Sequence, residues 1–155
     1  MKALAALQAC PCGRLAGPGV SAMAHAPGRK PVPAGKPLSY GDCCGRWLEA
    51  APQTAQPPDA ESLMRSRYSA FVLERAAYLR ESWVASHRPE SIAFDPGVKW
   101  LGLDVRAHRQ TGEATAEVEF VARQKPLTGP AVRLHERSRF VREAGRWLYV
   151  DGDPL

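Results

Sequence analysis

No part of the chain approaches the run of about 18 consecutive apolar residues that a membrane-spanning helix requires. The 155 residues also leave no room for two full-sized domains, because a domain typically has about 100 to 200 residues. An export signal is not favoured, since Gln8 interrupts the first apolar run before it reaches the roughly 7 to 15 residues that such signals need. We therefore expect a cytoplasmic protein with one domain and an appendage, in which thiols stay reduced.

Several enzyme signatures are missing as well. The sequence contains no phosphate-binding loop, no Gly-rich nucleotide fingerprint and no Ser-His-Asp spacing typical of hydrolases. A motif-defined nucleotide-dependent enzyme or hydrolase is therefore not predicted, and binding is favoured over catalysis.

Acidic residues are scarce before Pro58, so most of the net positive charge of the chain lies in this first part. The net charge is +5, from 21 basic and 16 acidic residues, but residues 1–57 contain only Asp42 and Glu49 as acids. We call residues 1–57 the leader. Proteins that bind nucleic acid concentrate Lys and Arg on a folded surface, whereas this leader is rich in Pro and Gly and has only Tyr40 and Trp47 as aromatics. We expect a solvated basic segment; binding to a partner protein is the next possibility, and nucleic-acid binding is disfavoured.

All four cysteines lie within the first 44 residues, in two tight pairs that are each followed by glycine. Four thiolates fill the tetrahedral shell of a structural Zn²⁺, and the glycines permit the turns that aim sulfurs at one point. The pattern predicts a structural zinc site at Cys10, Cys12, Cys43 and Cys44. Free or disulfide-forming pairs are the alternative. His25 offers another ligand, but a lone histidine in a Pro/Gly loop is more typical of a solvated side chain.

The segment between the pairs, residues 13–42, is crowded with Pro and Gly and predicts an unstructured loop. Closing 30 residues rather than about eight costs about 1 kcal/mol more. Small zinc sites contribute an apparent binding free energy of about 10 to 16 kcal/mol. The long loop therefore does not forbid the site.

After Pro58 the pattern becomes that of a folded domain. Asp59 is a plausible N-cap for a helix that extends to Arg75, and a second helix is expected at about 76–86, before Pro89. The first helix has one apolar stripe, formed by Met64, Tyr68, Phe71 and Val72. Period-two segments then predict four antiparallel strands, at 98–108, 114–124, 132–143 and 146–151. Helices followed by a meander favour an α+β fold, with the helices on one face of a curved sheet.

The last predicted hairpin suggests a pocket. A turn at 143–146 pairs Phe140 with Tyr149 and Ser138 with Asp151, and alternation places Glu136 on the same face. If this face is concave, Glu136 and Asp151 lie near an apolar pocket, where a carboxylate can act as a general base.

The catalytic candidates are therefore Glu136, Asp151 and His87. A histidine before Arg88-Pro89 is more typical of an exposed helix end. The favoured alternative for Glu136 is an ion pair that fixes the helices to the sheet, with Arg65, Arg67 or Arg123.

Two stretches resemble known sequences. The segment 35–45, preceded by Cys-Pro-Cys-Gly at 10–13, resembles the SEC-C motif, a small zinc-binding element also found at the end of the SecA translocation motor. Together with 63–71 and further short segments at 100–103, 120–123 and 136–140, it makes nearly the whole chain similar to the bacterial YchJ-like family of uncharacterised proteins.

The resemblance implies a SEC-C-like zinc element on residues 1–57 and a cone-shaped domain similar to nuclear transport factor 2 (NTF2) on residues 58–155. It implies no reaction. Compared with the family pattern, about twenty residues, 15–34, lengthen the connection between the two cysteine pairs.

Together these observations favour a cytoplasmic zinc-binding adaptor or binding module over a catalyst, with the leader presented to a protein partner. A small-molecule-binding or lyase/isomerase-like cone is the alternative, and nucleic-acid binding by the leader is a second alternative. A homodimer through the outer face of the sheet, near Arg137 and Arg139, is left open, with fold analogy as its only support.

Overall fold

The computed structural model describes residues 1–17, 32–51 and 54–155. His25 and residues 18–31 of the predicted loop lie outside these residues. In chain order the elements are α1 (Gly45–Leu48), α2 (Ala60–Val72), α3 (Ala76–Glu81), a 3-10 helix (Ala85–His87), β1 (Lys99–Gly112), β2 (Thr115–Lys125), β3 (Val132–Glu143) and β4 (Arg146–Pro154). The four strands form an antiparallel meander in the order β1-β2-β3-β4. The predicted α+β class is confirmed.

The β3–β4 hairpin is closed by Ala144 and Gly145, which both have positive φ, at 50° and 76°. Two such residues form a turn whose twist matches that of the strands. The predicted pairing of Phe140 with Tyr149 follows from this turn and is confirmed.

The register then shifts, which makes the predicted pairing of Ser138 with Asp151 wrong. A bulge between Arg139 and Phe140 gives β4 one extra residue, so Ser138 lies opposite Gly152 and Asp151 lies opposite Arg139. Because one extra residue moves all later side chains to the other face of a strand, Asp151 leaves the face that carries Phe140.

Helix α2 begins as predicted, with the Asp59 carboxylate accepting a hydrogen bond from the Ser62 backbone N–H at 2.7 Å. It ends at Val72, before Glu74 adopts a φ of 57°. The second helix is shorter than predicted. It ends at Glu81 because the next residues pair with the edge strand instead: the Tyr149 N–H donates to the Ser82 carbonyl and the Val84 N–H donates to the Tyr149 carbonyl, each at 2.8 Å.

The described parts of the leader pack against the rest of the chain. Residues 6–16 run antiparallel to residues 35–41, with the Cys10 N–H donating to the Leu38 carbonyl at 3.0 Å and the Tyr40 N–H donating to the Gln8 carbonyl at 2.7 Å. The ends of the predicted unstructured loop are therefore ordered. Leu38 and Tyr40 are buried in a cluster that also contains core residues of α2 and the sheet.

No helix in the described ranges is long and apolar enough to cross a membrane.

Replacing Asp59 with alanine removes the acceptor that caps α2. We expect Asp59→Ala to lower the free energy of unfolding by about 1 kcal/mol, as is typical of N-cap deletions. The measurement is urea denaturation followed by circular dichroism. Asp59→Ser keeps a capping oxygen and should retain most of the stability, so equal losses for the two variants would contradict a capping function.

Candidate metal centre and cone cavity

The four cysteines converge on one point. Their Sγ atoms all lie within 4.8 Å of one another, and all four side chains are buried. Cys12 Sγ is 3.6 Å from both Cys10 Sγ and Cys43 Sγ, and Cys43 Sγ is 4.0 Å from Cys44 Sγ. A tetrahedral ion with metal–sulfur bonds of about 2.3 Å places its sulfurs about 3.8 Å apart. The cluster therefore has the size of a four-thiolate metal site, and none of its members forms a disulfide.

Two glycines shape the cluster for different reasons. Gly13, after the first pair, has a φ of 69°, which favours glycine at this turn. Gly45, after the second pair, is not in a left-handed conformation; instead, a Cβ atom there would lie only 2.7 Å from the Tyr40 carbonyl oxygen. The expectation that both glycines serve as turns thus holds for Gly13, whereas Gly45 permits close backbone approach.

The paired leader segments explain how the cluster tolerates the long connection. The Ala16 N–H donates to the Lys36 carbonyl and the Gly35 N–H donates to the Ala16 carbonyl, at 2.8 and 2.7 Å. These bonds bring the two ends of the connection together beyond the cysteines. The long connection between the two pairs is therefore compatible with the compact arrangement of the four cysteines.

One face of α2 covers the cluster. Ser69 Oγ lies 3.8 Å from Cys10 Sγ, and Arg65 Nη1 donates to the Cys12 carbonyl at 3.2 Å while its Nε donates to Glu61 at 2.9 Å. Because residues i and i+4 share a face, Arg65 and Ser69 are presented to the sulfurs together.

The thiols differ in their tendency to ionise. Burial raises the pKa of Cys44, whereas hydrogen bonds from neighbouring thiols, Cys12 foremost, lower that of Cys10. Like charges so close together oppose one another. A cation at the centre would offset this repulsion.

Basic residues of the leader are partly neutralised within the chain. Arg14 pairs with Glu61 at 3.4 Å and donates to Ser62 Oγ at 2.8 Å, and Lys2 pairs with Glu74 at 3.1 Å. The expectation of a merely solvated basic segment is therefore wrong for Arg14, which fastens the leader to α2, whereas the Lys2 side chain stays largely exposed beside Glu74.

The opposite face of α2 closes a cavity of about 390 Å³ above the concave face of the sheet. Its walls are largely aromatic and include Tyr68, Phe71, Phe94, Trp100, Phe120 and Phe140. Edge-to-face contacts, such as Tyr68 with Trp100 at 5.5 Å between ring centroids, hold these rings in place. A cavity of this size and lining suits a small ligand.

Arg67 is the charged residue of α2 that faces the cavity. Its Nη1 donates to the Leu79 carbonyl at 2.8 Å and to Ser82 Oγ at 2.7 Å, and its guanidinium lies 4.4 Å from the ring centroid of Tyr149. Burial lowers the pKa of Arg67 to about 10, so the group stays charged at neutral pH. No carboxylate among the described residues forms an ion pair with it.

Glu136 also lines the cavity, as predicted from alternation. Its Oε1 accepts hydrogen bonds from Ser138 Oγ at 2.7 Å and from the Tyr149 hydroxyl at 3.2 Å. Burial raises the pKa of Tyr149, which keeps this hydroxyl protonated as a donor. A Cβ atom on Gly152 would overlap the carboxylate, so glycine at this position leaves room for Glu136.

The predicted ion pair of Glu136 with Arg65, Arg67 or Arg123 is wrong for the described residues. Arg65 binds Glu61 on the other side of α2, and Arg67 is held by a carbonyl and a hydroxyl. The pocket-facing carboxylate is instead stabilised by neutral donors.

The other two catalytic candidates lie outside the cavity. Asp151 accepts from Arg139 Nε at 2.6 Å on the outer face of the sheet, where Asp153 binds the same guanidinium. His87 is exposed, and its Nδ1 lies 2.8 Å from Ser86 Oγ. Asp151 was expected near the pocket, and the bulge moves it to the outer face instead. His87 is exposed, as expected for a histidine at a helix end.

Sequence reasoning missed Arg67 and Ser69 as functional positions. The apolar stripe of α2 at Met64, Tyr68 and Phe71 also contains position 67, which is three residues after Met64, so the helical period offered a signal for Arg67. Ser69 had no such signal, because its contact with Cys10 spans 59 positions.

Comparison with known proteins agrees with this architecture. Residues 59–152 match the model of the YchJ middle NTF2-like domain. A UPF0225 protein of Polaromonas sp. is 63% identical over 144 residues, covering 93% of this chain and 91% of that protein. A UPF0225 protein of Methylibium petroleiphilum is 60% identical and covers 83% of this chain and 90% of that protein.

Two solved structures share the fold. The solution structure of a SEC-C motif containing protein from Rhodopseudomonas palustris has a TM-score of 0.66 and 32% identity, with 78% of this chain and 95% of that chain covered. The crystal structure of a SEC-C motif containing protein from Psychrobacter arcticus has a TM-score of 0.69 and 30% identity, with coverages of 94% and 82%. The chain belongs to the YchJ-like, UPF0225 family, with an NTF2-like domain that follows a four-cysteine cluster.

Proposed function

We propose that this protein is a cytoplasmic, zinc-dependent binding module. Zn²⁺ held by Cys10, Cys12, Cys43 and Cys44 fixes the leader to α2, and the cone cavity on the other side of the helix receives a small molecule. The observation that carries the proposal is the set of four buried sulfurs within 4.8 Å of one another, with the spacing of a tetrahedral thiolate site.

The zinc would be structural. Four protein thiolates complete a tetrahedral shell and leave no open position for substrate, which distinguishes structural from catalytic zinc. The binding free energy of the ion would instead stabilise the packing of the leader against α2, because thiolate ligands converge only in the folded chain.

Binding by the cavity is favoured over an adaptor that uses the charge of the leader. Lys2 and Arg14 already pair with Glu74 and Glu61, so these charges hold the leader in place and are less available to a partner protein. Arg46 lies 4.4 Å from the ring centroid of Trp47 within the leader itself.

Binding is also favoured over catalysis. Of the three candidate catalytic residues only Glu136 lines the cavity, and its Oε1 is engaged by two hydroxyl donors. Asp151 and His87 do not line the cavity; Asp151 is bound by Arg139 and His87 contacts Ser86. A carboxylate held by hydroxyl donors suits recognition of a ligand donor group.

Loss of one sulfur should release the metal. Protein purified under reducing conditions should contain one equivalent of zinc by atomic absorption, whereas Cys12→Ser should contain close to none and unfold at lower temperature, because three thiolates leave the tetrahedral shell incomplete. A wild-type protein without zinc after growth in zinc-supplemented medium would refute the zinc proposal.

Ser69 offers a finer test of the contact between α2 and the cluster. Ser69→Ala removes the hydroxyl beside Cys10 and should weaken zinc binding by about tenfold, since side chains that contact metal ligands typically change metal affinity by 10- to 100-fold. Competition with a chromophoric chelator measures this change.

Ser66→Ala is the matched control. Ser66 is on the same helix and equally buried, but its hydroxyl bonds to Tyr78 and the Leu63 carbonyl. It should lose about 1 kcal/mol of stability with unchanged zinc affinity. Equal weakening of zinc binding in both variants would show that Ser69 acts only through general stability.

A further inference from the structure

The cone cavity contains two groups of opposite charge whose hydrogen-bonding capacity is only partly used. Arg67 employs Nη1, while its Nε and Nη2 find no acceptor among the described residues. Glu136 employs Oε1, while its Oε2 finds no donor in that part of the chain. No direct ion pair joins the two, although both line the same cavity. Two partly unsatisfied groups of opposite charge thus line one largely apolar cavity.

Tyr149 fixes the arrangement of these two groups. Its ring lies beneath the Arg67 guanidinium at 4.4 Å, and its hydroxyl donates to Glu136 at 3.2 Å. Trp83 supports the same guanidinium at 5.0 Å and anchors its own indole N–H on the Val150 carbonyl at 3.0 Å. Both polar groups are therefore pre-positioned before a ligand enters, which lowers the entropic cost of binding.

Most of the remaining lining is aromatic or apolar. The other charged residues that line the cavity are Lys2 and Glu74, which pair with each other at 3.1 Å, and Asp95, which is exposed. Phe71 contacts Phe94 and Trp100 with ring centroids 6.2 and 5.9 Å away, and Phe140 contacts Tyr149 at 5.7 Å. A volume of about 390 Å³ lies near the lower end of small-molecule sites. These dimensions favour a planar ligand of one or two rings.

The charge of the ligand follows from the charges of the cavity. A carboxylate would pair with Arg67 but approach Glu136, and a cation would pair with Glu136 but approach Arg67. Like charges brought together in a desolvated site cost several kcal/mol. An uncharged ligand that offers one acceptor and one donor satisfies both groups without this cost.

We propose that the cone cavity binds an uncharged planar molecule with a carbonyl acceptor next to an N–H donor, that is, an aromatic carboxamide or lactam. The carbonyl accepts from Arg67, the N–H donates to Glu136 Oε2, and the ring packs against the aromatic walls. This assignment rests on the binding function proposed above and does not depend on the metal.

Benzamide, benzoate and benzamidine test the proposal, because they share one ring and differ in charge. Binding to the full-length protein is measured by NMR through the indole N–H signals of the four tryptophans. Trp83 and Trp100 line the cavity, whereas Trp47 and Trp147 do not. We expect benzamide to shift the Trp83 and Trp100 signals alone, with a Kd about tenfold or more below those of benzoate and benzamidine.

Glu136→Gln supplies the charge test. The substitution keeps the shape of the side chain but removes its negative charge, so benzoate should then bind more tightly than benzamide. Glu119→Gln is the matched control, since Glu119 lies on β2 outside the cavity lining and pairs with His135. It should keep the wild-type order of the three probes.

Three results would overturn the proposal. The first is that the wild-type protein binds benzoate as tightly as benzamide, and the second is that Glu136→Gln leaves the order of the probes unchanged. The third is that no probe shifts the Trp83 and Trp100 signals at its solubility limit. Zinc content is determined on the same samples. A zinc-free protein that keeps the expected order refutes the zinc proposal alone, whereas a zinc-loaded protein without this order refutes the ligand assignment alone.

Discussion

Helix α2 is buried on two sides, and the rest of the structure depends on how its side chains pack against the cysteine cluster on one side and the cavity on the other. Ser69 and Arg65 face the cysteine cluster, while Met64, Arg67 and Tyr68 face the aromatic cavity. A helix presents a given face only every three to four residues, so two alternating sets of side chains can serve two environments. The polar side chains, Arg65 and Ser69, contact a backbone carbonyl and a sulfur of the cysteine cluster. The mainly apolar set lines the cavity above the curved sheet.

This shared helix places the candidate metal centre and the cavity back to back. Arg65 and Arg67, two positions apart, point to opposite sides and are satisfied by different means. Arg65 has a carboxylate partner, Glu61, whereas Arg67 is held by a carbonyl, a hydroxyl and two aromatic rings. Burying a guanidinium without a direct carboxylate partner is costly. Its retention beside a second polar group is the feature that distinguishes this cavity from an ordinary apolar core.

Local patterns predicted much of the fold. The N-cap at Asp59, the four strands and the β3–β4 turn follow from short-range rules of capping, alternation and turn chemistry, and the structure agrees with them. The errors occurred where tertiary contacts override those rules. The second helix ends early because Ser82 and Val84 pair with the edge of the sheet, and Asp151 changes face because one extra residue enters β4.

The sequence by itself determined that four cysteines form two tight pairs and that Glu136 shares a strand face with Phe140, because spacing and period are local properties. Only the tertiary structure decided that the pairs meet despite the long connection, that Ser69 reaches Cys10, and that Arg67 joins Glu136 in one cavity without an ion pair. Those outcomes depend on contacts between residues far apart in the chain, which no local pattern encodes.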